Sequence, residues 1–389
     1  MSARIVIVGT GVAGATAAKT LRRDGYSGEI VLLGAESGLP YRRPLVSKEL
    51  LAGSVAEPRT LLESAESWRG WEIDVRTATT AQHVDPDRAR VTLADGSVLG
   101  YDSLLLATGA SPRRLPNQPQ AVHTLRGRAE IAPLRADLFD GGSLLVVGAG
   151  LIGCEVAATA RSLGIAVTVV DAAATPLARI VPPVIGEYYR KLHADNGVTI
   201  HGGVVLGGLD VADGVTAESV DGPTWTAATA LVAIGAVPNI DLAATAGLVV
   251  DDGIVVDERY RTSAPDIYAA GDAAARFDPA TGGHHRDEHW NSAQSQGAAA
   301  AKAMLGLPLP PREVCWGWST QYGINLQFAG RIDPTDELIV RGELGTANVT
   351  VYALREGHLT GAVSIGRPAD IRAARDVLAG RAALDPALT

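Results

Sequence analysis

The sequence predicts an α/β fold, two Rossmann-like units followed by a C-terminal α+β domain, on three observations. A short apolar run, Ile5–Val8, leads into Gly9-Thr10-Gly11-Val12-Ala13-Gly14. A second run, Leu144–Val147, leads into Gly148-Ala149-Gly150-Leu151-Ile152-Gly153. Beyond about Pro310 apolar and polar residues alternate instead, the period of an antiparallel sheet.

The elements follow in chain order. Ile5–Val8 is a buried strand, and Ala15, Ala18 and Leu21 recur at helical spacing until Gly25 stops the helix. Ile30–Leu33 is the next strand, and Arg90–Leu99 a hairpin about an Asp95-Gly96 turn. Leu104–Ala107 is a buried strand ending in Thr108-Gly109. The second unit repeats the plan: strand Leu144–Val147, a helix carrying Val156, Ala157, Ala160 and Leu163, a stop at Gly164, then strand Val167–Val170. Leu231–Ile234 ends in Gly235, and Ile267–Ala270 in Gly271-Asp272. Leu338–Val340, Asn348–Leu354 and His358–Ser364 read as antiparallel strands, and Asp370–Leu378 as a helix. The expected domains are 1–111 with 232–309, then 112–231, then 310–389.

Composition bounds the function. With 47% hydrophobic and 20% charged residues the 389-residue chain buries real cores, and its 44 glycines ask for tight turns or close backbone approach to a ligand. A net charge of −9 without a basic run argues against nucleic-acid binding. No apolar stretch is long enough to span a membrane, and Ile5–Val8 is too short for a signal-peptide core, so a cytoplasmic protein is expected. Cys154 and Cys315 form neither a CxxC nor a metal-ligand cluster, so no disulfide-reductase chemistry and no metal is expected.

Both glycine motifs follow a strand and open a helix, the context in which they cradle a dinucleotide. The first glycine makes the turn, the second admits the pyrophosphate, and the third lets helix and strand pack; the helix start offers N–H groups to phosphate. Packing turns without a ligand are the competing reading. An acid is due about 20 residues on, for ribose hydroxyls. Asp171 fills that place in the second unit; Ala172, Ala173 and Ala174 follow it with no arginine for a 2′-phosphate, which favours NADH, although Arg179 stands further on. In the first unit Glu36 is the available acid. Two such sites imply a relay between nucleotides, most simply from NADH to FAD.

These motifs, with Leu39-Pro40-Tyr41-Arg42-Arg43-Pro44, Ser47-Lys48, Ala107–Arg113, Ala270-Gly271-Asp272 and Trp316–Tyr322, resemble the glutathione-reductase-type flavoproteins. Within them the chain resembles the FAD-dependent NADH:ferredoxin reductases of the putidaredoxin reductase and biphenyl dioxygenase reductase type, which serve cytochromes P450 and Rieske oxygenases. The resemblance implies that Gly9, Gly11, Gly14 and Glu36 hold the ADP half of FAD. It further implies that Arg43, Lys48, Thr108, Gly109 and Arg113 lie along flavin or pyrophosphate. Gly271 and Asp272 would meet the ribityl or phosphate oxygens, and Trp316 the pyrimidine end. Gly148, Gly150, Gly153 and Asp171 would hold NADH, and Lys48 with Glu155 would form the catalytic pair. The chain departs from the family pattern at Ala35, where Asp is usual. It departs again within Pro44-Leu45-Val46-Ser47-Lys48, where the family reads Pro-Pro-Leu-Ser-Lys, and at Ser292, Gly317 and Thr320.

Other features have plainer readings. Cys154 at a helix start is a small packing residue rather than a redox centre. His284, His285 and His289 lie in or beside a polar stretch, Asp278–Asp287, that reads as a surface loop. Trp316 and Trp318 share a strand face, which suits either a core or a flavin wall. The expected function is hydride transfer from NADH to FAD and release of single electrons to a [2Fe–2S] ferredoxin, by a monomer or weak homodimer. Two alternatives stand: a reductase of a quinone or monodehydroascorbate, and an apoptosis-inducing-factor-like redox sensor. Docking an acidic ferredoxin on an acidic chain requires a local basic patch, for which Arg22-Arg23, Arg42-Arg43, Arg113-Arg114, Arg126 and Arg128 are the candidates.

Overall fold

The computed structural model describes residues 3–278 and 282–385. The chain divides into two compact units, one of residues up to Arg43, Glu57–Ser111 and Val237–Glu313, the other of Pro44–Ala56, Pro112–Ala236 and the residues from Val314.

The first unit is built on a five-stranded sheet in the order Ile267–Ala269, Ser103–Leu106, Arg4–Val8, Glu29–Leu33, Ile73–Arg76. All its pairings are parallel. Its four strands other than the edge strand Ile73–Arg76 are largely apolar and buried, as strands covered on both faces are, whereas Ile73–Arg76 carries Asp74 and Arg76. The helix Val12–Arg23 turns Ala13, Ala17, Ala18 and Leu21 inward and ends before Gly25, as its sequence predicts. The predicted hairpin is present as Arg90–Leu93 and Val98–Gly100, and a third strand, Ala81–Asp85, joins it. The histidine stretch is more ordered than a loop. Gly283–His285 pairs with Ala274–Asp278, and His289 precedes the helix Trp290–Met304. The intervening residues 279–281 of the expected loop lie outside the described residues.

The second unit has a parallel sheet in the order Val198–Gly202, Ala166–Asp171, Ser143–Val147, Thr229–Val232. The helix Leu151–Ser162 follows its central strand, and Pro183–Asp195 precedes its edge strand. A five-stranded antiparallel sheet comes later in the order Trp316–Gln321, Ile324–Gly330, His358–Ile365, Val349–Arg355, Glu337–Gly342. The helix Pro368–Leu378 packs Ile371 and Ala374 against it. The α+β character expected of the C-terminal part is therefore present.

Candidate functional site

The two glycine turns have the same steric anatomy. Gly9 has φ +118° and Gly148 φ +105°; a Cβ on the first would strike the carbonyl of Ala107, and on the second that of Ala233. Gly14 and Gly153 lie against the carbonyls of Gly9 and Gly148, which likewise leave no room for a side chain. The protein's own packing thus explains the first and third glycine of each motif. It does not explain the second: a Cβ on Gly11 or Gly150 would meet nothing within 4 Å. Both helices also start with no capping side chain and no acid in the first turn, so their N–H groups and dipoles point uncompensated at that open space. This is a cradle for an anion such as pyrophosphate, and the residues present fit a dinucleotide in each turn.

In the first unit the acid predicted for the ribose, Glu36, lies just past the strand Glu29–Leu33. Its oxygens accept from Tyr41 Oη at 2.8 Å and Arg43 at 2.5 Å. Burial works against the Arg43 charge, but Tyr41, Glu36 and Asp272 outweigh it and hold its pKa above the usual arginine value. Thr108 and Gly109 are clasped by Asn239, whose Nδ2 donates to the Thr108 carbonyl at 2.8 Å and whose N–H donates to the Gly109 carbonyl at 2.9 Å. Asp272 is buried beside Gly271, whose N–H donates to Gln296 Oε1 at 2.9 Å. Gly297, on the same helix, leaves no space between itself and the Ala13 backbone, which fixes the helix start against the turn. Asn239, Gln296 and Gly297 escape the sequence reading; a glycine inside an otherwise regular helix is the one local signal among them.

In the second unit Asp171 closes its strand, and its carboxylate accepts from the N–H of Ala149 at 2.5 Å and of Ala173 at 2.6 Å. Each oxygen keeps a further lone pair for a ribose hydroxyl. Cys154 is fully buried with its thiol on the Ala149 carbonyl, and burial pushes that thiol far up, so it is packing and not chemistry. Arg113 is exposed and bonds through its backbone N–H to the Gly235 carbonyl at 2.9 Å.

Lys48 and Glu155 come together as the sequence reading expects. Lys48 sits in a π-helical turn, Val46–Leu50, and its Nζ lies 2.7 Å from Glu155 Oε2. Glu155, only 4% exposed, also accepts from Ser47 Oγ at 2.5 Å and Ser319 Oγ at 2.7 Å. Thr159 Oγ1 donates to the Ser47 carbonyl at 2.8 Å and ties the lysine turn to the glutamate's helix. A buried carboxylate with an ammonium and two hydroxyls on it is a fully satisfied anion. Trp316 and Trp318 share a half-exposed strand face with ring centroids 5.9 Å apart, and the Arg375 guanidinium lies 4.3 Å over the Trp316 ring. Ser319 and Gln321 occupy the opposite, buried face.

The basic candidates separate into two kinds. Arg22 spends its guanidinium on the carbonyls of Trp71, Tyr26, Gly28 and Glu72, so it is a structural clamp. Arg42 and Arg114 are exposed, as is Arg113.

The chain matches the family described as pyridine nucleotide-disulphide oxidoreductase over residues 3–297 and the reductase C-terminal family over 316–389. It is 37% identical to the ferredoxin reductase component of chlorobenzene dioxygenase from Cupriavidus sp. (strain PS12), covering 100% of this chain and 95% of the relative. It is 39% identical to rhodocoxin reductase from Rhodococcus erythropolis, covering 98% and 91%. Among solved structures, the covalent putidaredoxin reductase–putidaredoxin complex superimposes with a TM-score of 0.94 at 33% identity, over 99% of this chain and 95% of that one.

Proposed function

The chain belongs to the pyridine nucleotide-disulphide oxidoreductase family, and from that premise we propose that it is an FAD-dependent NADH:ferredoxin reductase. Its acceptor is a [2Fe–2S] ferredoxin that serves a cytochrome P450 or a Rieske oxygenase. The observation that carries the reading is the pair of turns whose middle glycines, Gly11 and Gly150, face open space while their neighbours are sterically forced. FAD, when bound, supplies the conversion of a two-electron donor into single electrons.

The chain's own residues divide the work. Gly9, Gly11 and Gly14 cradle the FAD pyrophosphate, and Glu36, fixed by Arg43 and Tyr41, faces its ribose. Thr108, Gly109, Gly271 and Asp272 line the remainder of that cofactor. Gly148, Gly150, Gly153 and Asp171 hold NADH. Lys48 offers an ammonium to the negative charge that reduction creates, and Glu155, 2.7 Å from it, orients it. FAD binding is assigned to residues 1–111 and 232–309, NAD binding to 112–231, and the C-terminal domain to 310–389. We place the protein in the cytoplasm, where NADH is regenerated.

Cytochrome c reduction with NADH or NADPH and a panel of [2Fe–2S] ferredoxins tests this. NADH-driven turnover that requires a ferredoxin is expected. Fast reduction of a quinone with none through any ferredoxin would overturn the acceptor.

A further inference from the structure

Glu155 is one end of a longer buried structure. Ser319 Oγ lies 2.7 Å from Glu155 Oε1, and Gln321 Nε2 lies 3.1 Å from Ser319 Oγ. Gln321 Oε1 lies 2.9 Å from His193 Nε2, and His193 Nδ1 lies 3.0 Å from Tyr322 Oη. Ser319, Gln321 and His193 are all essentially inaccessible to water.

The carboxylate fixes every proton along this row. A glutamate paired with an ammonium only accepts, so the Ser319 hydroxyl donates to it. Its hydrogen spent, Ser319 Oγ can only accept from the next residue, which turns the Gln321 amide nitrogen toward it. The Gln321 oxygen then faces His193, so Nε2 carries the imidazole proton. Burial lowers the His193 pKa and keeps the ring neutral; Nδ1 is therefore bare and Tyr322 donates to it. We propose that Ser319, Gln321, His193 and Tyr322 form a one-way hydrogen-bond chain whose donors all point at Glu155, and that it positions that carboxylate against Lys48. An amide in the middle makes the row a poor proton wire and a good polarising one, each bond strengthening the next toward the anion. Ser319 is thereby a positioning residue, and Gln321, His193 and Tyr322 act through it, His193 from an element 128 positions away from Gln321. The effect on turnover rests on the role given above to Lys48 and Glu155; the proton arrangement does not.

The test uses holoenzyme carrying 15N-labelled histidine, with the His193 signals assigned from a His193→Gln spectrum. The wild type is expected to show His193 neutral in the Nε2–H form. Ser319→Ala, which His193 does not touch, frees the Gln321 amide to turn over. Part of His193 is then expected to shift to the Nδ1–H form. The limiting rate of flavin reduction should fall about tenfold while the Kd for NADH holds, the worth of one hydrogen bond to a charge. Tyr322→Phe, which removes only the last hydroxyl, should move the Nδ1 resonance and leave Nε2–H in place even if the serine variant does not fold. A protonated or Nδ1–H His193 in the wild type overturns the chain, as does a tautomer unchanged in Ser319→Ala or an Nδ1 resonance unmoved in Tyr322→Phe. If Lys48→Ala leaves flavin reduction unchanged while the His193 form is as expected, the functional role of the pair fails and the chain stands.

Discussion

Gly150 and Gly153, three residues apart, do opposite jobs. An alanine at Gly153 would collide with the Gly148 carbonyl, whereas one at Gly150 would meet no protein atom within 4 Å. Gly150→Ala is therefore expected to raise the KM for NADH severalfold with the Tm unchanged, and Gly153→Ala to lower the Tm by several degrees; differential scanning calorimetry beside steady-state kinetics separates them. Lys48→Ala removes the ammonium from Glu155 without touching either turn. It should slow flavin reduction by NADH by about 100-fold in stopped-flow, the scale of losing one charge-stabilising donor, while FAD stays bound. At this scale the sequence is most legible where sterics act locally. The glycine spacings announce the turns, and Asp171 closes its strand at the expected spacing, whereas Glu36 lies beyond the end of the strand Glu29–Leu33. Arg22 was misleading because a charge is visible in sequence, but the four carbonyls that consume it are not.

The helix Pro183–Asp195 and the strand Trp316–Gln321 are locked together through His193 and Gln321. That contact makes the second unit's stability sensitive to mild acid. Burial depresses the His193 pKa below the ordinary 6.5, so below that pH the unfolded chain binds more protons than the folded one. The stabilisation is whole above pH 6.5 and is lost as pH falls through the lowered folded value. The Tm of the wild type is expected to drop more steeply between pH 7.5 and 5.5 than that of His193→Gln; parallel curves would refute it. None of this was readable from the sequence. The partners stand 128 positions apart, and amphipathic spacing shows which face of an element is buried without showing what it meets. The strands Ala81–Asp85 and Ile324–Gly330 were missed for a related reason. The sheet order that gives each its place depends on partners elsewhere in the chain, and the first is largely polar.

The molecule as a whole carries −9, so an acidic ferredoxin meets net repulsion unless exposed arginines such as Arg113 and Arg114 act locally. If they do, raising salt should raise the KM for ferredoxin and Arg114→Glu should raise it further at low salt, with NADH kinetics unaffected. A KM independent of salt would exclude electrostatic docking. The plan of the whole, two nucleotide units and a C-terminal sheet domain, was legible because an internal repeat survives in the sequence. The destination of Pro44–Ala56 was not. These residues leave the first unit after Arg43 and return at Glu57, yet they belong to the second. Thr159 holds the carbonyl of Ser47, Glu155 holds Lys48, and Arg135 reaches the carbonyl of Leu51. Anyone exchanging the second unit of this protein for that of a relative would have to transplant the short excursion 44–56 along with it, or leave the incoming glutamate facing a lysine turn from a different chain.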